Sequence, residues 1–241
     1  QGVYTNGDEF VRLVRLAGAT GFAGIETNWK NLERWADRPA EFAALLKESG
    51  LVLIGAHTGG SPWAAAKQAE LRAELGRAAR FVRAVGGRYV VLSGSVPPKP
   101  ARFADRLPEM AAFLDDLGGL CATQGVRLLY HNHWQDCAEG CLPKLCRLTD
   151  PARVGFAFDT GHAVHAGEDP AAVLAAFGRR VELVHFADYA DDGPSAVRRP
   201  PLGTGRLDLA ATAAAIRKAG AVRWIDLEEE AGAGQGPALA K

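Results

Sequence analysis

Val154-Gly155-Phe156-Ala157-Phe158-Asp159-Thr160-Gly161-His162 decides how this chain is read. An apolar run of strand length stops on a carboxylate, and a histidine follows three residues later. A strand covered on both faces, as in a parallel sheet, is apolar almost throughout. The same unit recurs in Gly24-Ile25-Glu26, Leu51 to His57, Tyr89 to Ser93, Val126 to His133, Val181 to His185 and Trp224 to Glu228. The polar ends lie about 25 to 45 residues apart, the length of a β-strand plus a crossover helix.

The intervening segments read as helices. Asp8 to Ala19 carries Phe10, Val11, Val14 and Leu16 at helical spacing. Pro39 to Ser49 opens on a first-turn proline and stops at Gly50, and Ala64 to Val85 closes at Gly86 and Gly87. Ala101 to Gln124, Pro170 to Phe177 and Leu207 to Ala219 complete the set. Seven units are visible, and Gly2 to Thr5 reads as the remnant of an eighth, truncated strand. The pattern predicts an α/β fold, a TIM (β/α)8 barrel, with a doubly wound open sheet as the alternative. Residues 1–230 are expected to form a single domain, and the Gly/Ala-rich stretch 231–241 a flexible tail.

Composition narrows the function. The chain has 241 residues, 48% hydrophobic and 23% charged, with 28 basic and 28 acidic side chains. A formal net charge of zero argues against a nucleic-acid or membrane-surface protein, both of which need a basic excess. No apolar run reaches the roughly 18 residues of a membrane span, and no signal-peptide pattern opens the chain. Four cysteines do not make a disulfide framework in a chain this long, so a cytoplasmic location is expected.

In a parallel barrel the chemistry sits at the carboxyl ends of the strands. Those ends carry Glu26, His57, His131, His133, Asp159, His162, His185, Asp188 and Glu228 to Glu230, with His165 in the loop after Asp159. Alternation puts His131 and His133 on one face and Asp226 and Glu228 likewise, with Tyr130 and Leu227 turned toward the helices. His131, Asp159, His185 and Glu228 together make a mixed nitrogen and oxygen donor set. That set suits a divalent ion, Mn²⁺ or Co²⁺ first, then Zn²⁺ or Mg²⁺. Other features read as structural. Glu229 and Glu230 are surface charges, Asp188 caps the following loop, and Asp150 before Pro151 marks a turn. Cys137, Cys141 and Cys146 lack zinc-site spacing and read as small apolar residues. Gly203-Thr204-Gly205 reads as a turn, since it lacks the lysine and spacing of a phosphate loop.

Such an ion would chelate a carbonyl and a neighbouring hydroxyl of a ketose or keto-polyol and favour an enediolate. Glu228 is the first choice for the base, with His133 or His162 as its acid partner. Glu26, Trp29, His57 and His162 are candidates for holding the substrate. Reprotonation would give epimerisation or isomerisation, and loss of a β-hydroxyl would give dehydration. A sugar-binding barrel without catalysis is the non-enzyme alternative.

The stretches Gly21 to Glu26, Tyr130-His131-Asn132-His133, Phe158 to His162, Val184 to Asp188, Leu202 to Gly205 and Trp224 to Glu228 resemble the xylose isomerase-like TIM barrel superfamily. The resemblance runs over nearly the whole chain. It implies a divalent-metal-dependent sugar isomerase or epimerase, with an inosose dehydratase-like lyase as the alternative, and a small sugar, ketose or inosose as partner. It implies neither nucleic acid nor membrane, and it is compatible with a homo-oligomer. Asp159, His185 and Glu228 match the family's ligands directly. His131 stands where the family usually has Glu, and the Tyr-His-x-His form is similar to the inosose dehydratase branch. Ala187 departs from that branch, which often has Lys there.

Overall fold

The computed structural model describes residues 6–191 and 199–228. Strands β1 (Gly24–Asn28), β2 (Val52–Gly59), β3 (Tyr89–Ser93), β4 (Arg127–His131), β5 (Val154–Asp159), β6 (Val181–Phe186) and β7 (Trp224–Leu227) follow chain order in the sheet. The helices are α1 (Gly7–Ala19), α2 (Trp29–Leu32), α3 (Pro39–Glu48), α4 (Ala65–Val85), α5 (Leu107–Thr123), α6 (Trp134–Cys137), α7 (Cys141–Leu148), α8 (Thr160–His165), α9 (Pro170–Phe177) and α10 (Leu209–Ala219). At least one lies in every crossover, and β1–β2, β2–β3, β5–β6 and β6–β7 pair in parallel. That is the connectivity of a (β/α) barrel. The expected strand at 2–5, the tail at 231–241 and the surface charges Glu229 and Glu230 lie outside the described residues.

Local chemistry sets the boundaries. Asp169 accepts the Ala171 N–H at 2.9 Å and Pro170 opens α9, while Asp208 caps α10 through the Ala211 N–H at 2.9 Å. Strand β5 is buried at every position, as a strand covered on both faces must be.

The chain forms two compact units, Gln1–Ser95 with Asp116–Leu128, and Val96–Asp115 with Leu129–Lys241. In the first, Phe10, Trp29, Trp35, Phe42 and Phe81 make a run of ring contacts with centroids 5.0 to 6.4 Å apart. Trp29 is therefore a core residue and not the sugar platform expected from its place after a strand end. It is wholly buried and meets Phe81 edge to face at 5.7 Å. The cause is Asn28, whose side chain accepts the Lys30 N–H at 3.0 Å and starts a short helix that turns the indole inward.

In the second unit, Phe156 meets Tyr130 and Phe177 edge to face, and Phe158 also meets Phe177. His165, expected in a loop, lies in α8 and stacks on Tyr189 at 4.4 Å. Cys121, Cys137, Cys141 and Cys146 are all free and buried. No helix among the described residues is long and apolar enough to cross a membrane.

The loop after β6 is organised by one carboxylate. Asp188 Oδ1 accepts the N–H groups of Tyr189 at 2.8 Å and Leu207 at 2.9 Å. Its Oδ2 accepts those of Gly203 at 3.0 Å and Gly205 at 2.9 Å. Gly203 has a φ of 86°, in the left-handed region. A side chain at Gly205 would run into Asp188, since its Cβ would lie 2.4 Å from Oδ1. The Gly-Thr-Gly stretch is thus a turn wrapped around an internal anion. Asp188→Ala would leave four N–H groups without this acceptor, those of Tyr189 and Leu207 on buried residues. We expect a loss of about 2–4 kcal/mol in urea denaturation, seen as a fall of about 5–15 °C in Tm. A change below about 0.5 kcal/mol would contradict this role.

Candidate active site

In the second unit, register brings the polar strand ends level. Asp159 on β5 pairs with His185 on β6, and His185 pairs with Asp226 on β7. Two uncharged side chains lock this alignment. Asn132 accepts the Asp159 N–H at 2.9 Å and donates to the Asp159 carbonyl at 3.1 Å. Thr160 Oγ1 donates to the Ala187 carbonyl at 2.7 Å and accepts the Ala187 N–H at 3.0 Å. Neither residue stood out in the sequence. The signal available was an amide or hydroxyl directly beside a strand-end ligand.

His131, Asp159 and His185 are all buried, and each offers one ligand atom within 4.8 Å of the others. His131, His133 and His162 meet the same distance condition, with His133 and His162 partly buried. The ring centroids of His131 and His185 lie 4.6 Å apart, and those of His133 and His162 lie 4.9 Å apart. Imidazole nitrogens converging with a carboxylate oxygen at this spacing fit a divalent transition ion. Glu228 Oε2 lies 2.9 Å from His185 Nδ1. A carboxylate only accepts, so Nδ1 carries the proton in this pair and Nε2 is the nitrogen left to bind an ion.

One cation went unnoticed in the sequence. Arg199, only 6% exposed, has Nη2 3.0 Å from Asp159 Oδ2 and Nη1 3.0 Å from Glu228 Oε1. Asp159 Oδ1 also accepts the His162 N–H at 2.7 Å, capping α8. These charges set the titration of the site. Burial raises the Asp159 pKa to about 6, against the lowering pull of Arg199. Burial also works to raise Glu228, but its hydrogen bond to His185 and the nearby Arg199 hold it well below the usual carboxylate range. His162 is shifted strongly downward by burial and then by Arg199 and His133, which keeps its imidazole neutral.

In the first unit, Glu26, His57 and Ser93 form a hydrogen-bonded row. His57 Nδ1 lies 2.7 Å from Glu26 Oε1, and His57 Nε2 lies 2.7 Å from Ser93 Oγ. The carboxylate accepts from Nδ1, so in the neutral ring Ser93 donates to Nε2.

His133 precedes α6, and the Asp136 carboxylate accepts its backbone N–H at 2.8 Å. Asp136 is 2% exposed, and burial raises its pKa from 3.8 to about 6. A carboxyl that holds its proton more tightly when folded stabilises the fold at low pH. That contribution is lost as pH rises from about 4 to about 6. Asp136→Asn should therefore gain about 1–3 kcal/mol on wild type across this interval when urea denaturation is followed from pH 4 to pH 7. Parallel stability curves for the two proteins would contradict the assignment.

Comparison with known proteins agrees with the topology. The sequence profile of the xylose isomerase-like TIM barrel family matches residues 14–241. An inosose dehydratase of Lacticaseibacillus casei is 30% identical over 180 residues, which is 62% of this chain and 60% of that protein's length. The chain thus spans less than two thirds of that relative. A crystal structure of a sugar phosphate isomerase/epimerase from Parabacteroides distasonis superposes with a TM-score of 0.75 at 14% identity, covering 96% of this chain and 88% of the other. The crystal structure of the IOLI protein with a binding zinc atom gives a TM-score of 0.77 at 15% identity, covering 92% and 83%. With a helix in every crossover of a sequentially ordered parallel sheet and a family match over residues 14–241, the chain belongs to the xylose isomerase-like TIM barrel family.

Proposed function

We propose that this chain carries the site of a divalent-metal-dependent lyase that removes water from a small keto-polyol of the inosose type. The observation that carries the reading is the pair of histidine clusters at the strand ends, His131 with Asp159 and His185, and His131 with His133 and His162. Similarity to an inosose dehydratase supports the substrate class. Mn²⁺, Co²⁺ or Zn²⁺ held by His131, Asp159, His185 and Glu228 would polarise the substrate carbonyl and acidify the neighbouring C–H.

The chain's own residues divide the remaining work. Glu228, the first choice for the base from the sequence, is poorly suited to it. Both of its oxygens are engaged, by His185 at 2.9 Å and Arg199 at 3.0 Å, and its proton affinity is low. We assign the proton transfer to His133. It takes the proton from the carbon next to the carbonyl and returns it to the departing β-hydroxyl. One C–H and one C–O bond break, a C=C bond forms, and water leaves. His162 stays neutral and serves as a hydrogen-bond donor to a substrate oxygen, a role a neutral imidazole fills well.

A second reading is a sugar isomerase or epimerase, in which the same imidazole gives the proton back to carbon. Turnover of inososes and ketoses in D₂O with Mn²⁺ separates the two. We expect an unsaturated product with an inosose, and a fall of about 10²–10⁴-fold in kcat for His133→Ala. Deuterium on carbon with no water lost would establish the second reading. Absence of any turnover with the ion bound would contradict both.

A further inference from the structure

The four carboxylate oxygens of Asp159 and Glu228 all have partners within the protein. Asp159 Oδ1 takes the His162 N–H at 2.7 Å, and Glu228 Oε2 faces His185 Nδ1 at 2.9 Å. The remaining two, Asp159 Oδ2 and Glu228 Oε1, are spanned by a single guanidinium at 3.0 Å each. Asp159 belongs to β5, whereas Glu228 directly follows β7, so Arg199 ties together two acids brought from different strands. The Nη2 contact to Asp159 is a hydrogen bond and the Nη1 contact to Glu228 an ion pair, and the guanidinium stays charged when buried.

We propose that Arg199 is a built-in counter-cation that competes with the divalent ion for Asp159 and Glu228. The inference rests on the metal-binding reading of the site given above. Arg199 neutralises one of two buried negative charges and occupies lone pairs that an incoming ion would use. A guanidinium and a dication sharing these oxygens would also repel each other where little water screens them. Uptake of the ion therefore requires Arg199 to release at least one carboxylate oxygen, and the observed affinity is reduced by the fraction of molecules in which it has done so. The backbone beyond Arg199 is held by Asp188 at Gly203. The device lets the protein bury its acidic ligands without a bound metal, at the expense of metal affinity.

The test is titration of the whole chain with Mn²⁺ or Zn²⁺ against a metal-sensitive dye, with melting followed in the presence of chelator. Arg199→Gln should bind the ion at least about tenfold more tightly than wild type. It should melt lower than wild type in chelator and gain more from added ion. Arg199→Lys, which reaches one carboxylate at a time, should fall between the two. If Arg199→Gln folds and binds no more tightly than wild type, competition is overturned while the metal site stands. If Arg199→Gln does not fold in chelator, Arg199→Lys decides, and its binding no more tightly than wild type overturns the proposal. If neither wild type nor variant binds either ion, the metal reading fails and this inference falls with it.

Discussion

Alignment of the parallel strands is the constraint on which the rest depends. Asp159 beside His185, and His185 beside Asp226, follow from backbone pairing alone. Once Asp159 and His185 are level and buried, electrostatics dictates what must accompany them. An isolated buried charge is very costly, so each must find a partner. Asp159 meets the cap of α8 and the Arg199 guanidinium, and His185 meets Glu228. Asn132 and Thr160 then hold the strand ends in place through backbone groups that the ladder does not use.

The loop after β6 shows how one segment can be both anchored and chemically involved. Asp188 gathers the N–H groups of Tyr189, Gly203, Gly205 and Leu207 into a tight turn. Arg199, a few residues upstream of that turn, reaches the acids of β5 and of the residue after β7. The glycines of this loop therefore serve geometry, and the arginine serves charge. In the first unit Glu26, His57 and Ser93 are joined in a row by hydrogen bonds.

Much of this was legible in the sequence. The bounds read for β3, β5 and α9 are those observed, because long apolar runs with polar or glycine stops leave little choice. Helices α2, α6, α7 and α8 were missed, since four to eight residues leave little helical periodicity to show. In α8 the capping carboxylate is Asp159 itself, which the sequence presents only as a ligand. Trp29 was misplaced for a related reason, the cap at Asn28 having turned it inward. Arg199 carries no local signal, because an arginine beside prolines reads as surface. Only the surplus of acids at the strand ends hinted that a buried cation was needed.

Anomalous diffraction from crystals grown with Mn²⁺ addresses the central claim most directly. One strong peak coordinated by His131, Asp159 and His185 is the outcome this account requires. A fully loaded protein whose ion lies away from these three side chains would contradict it.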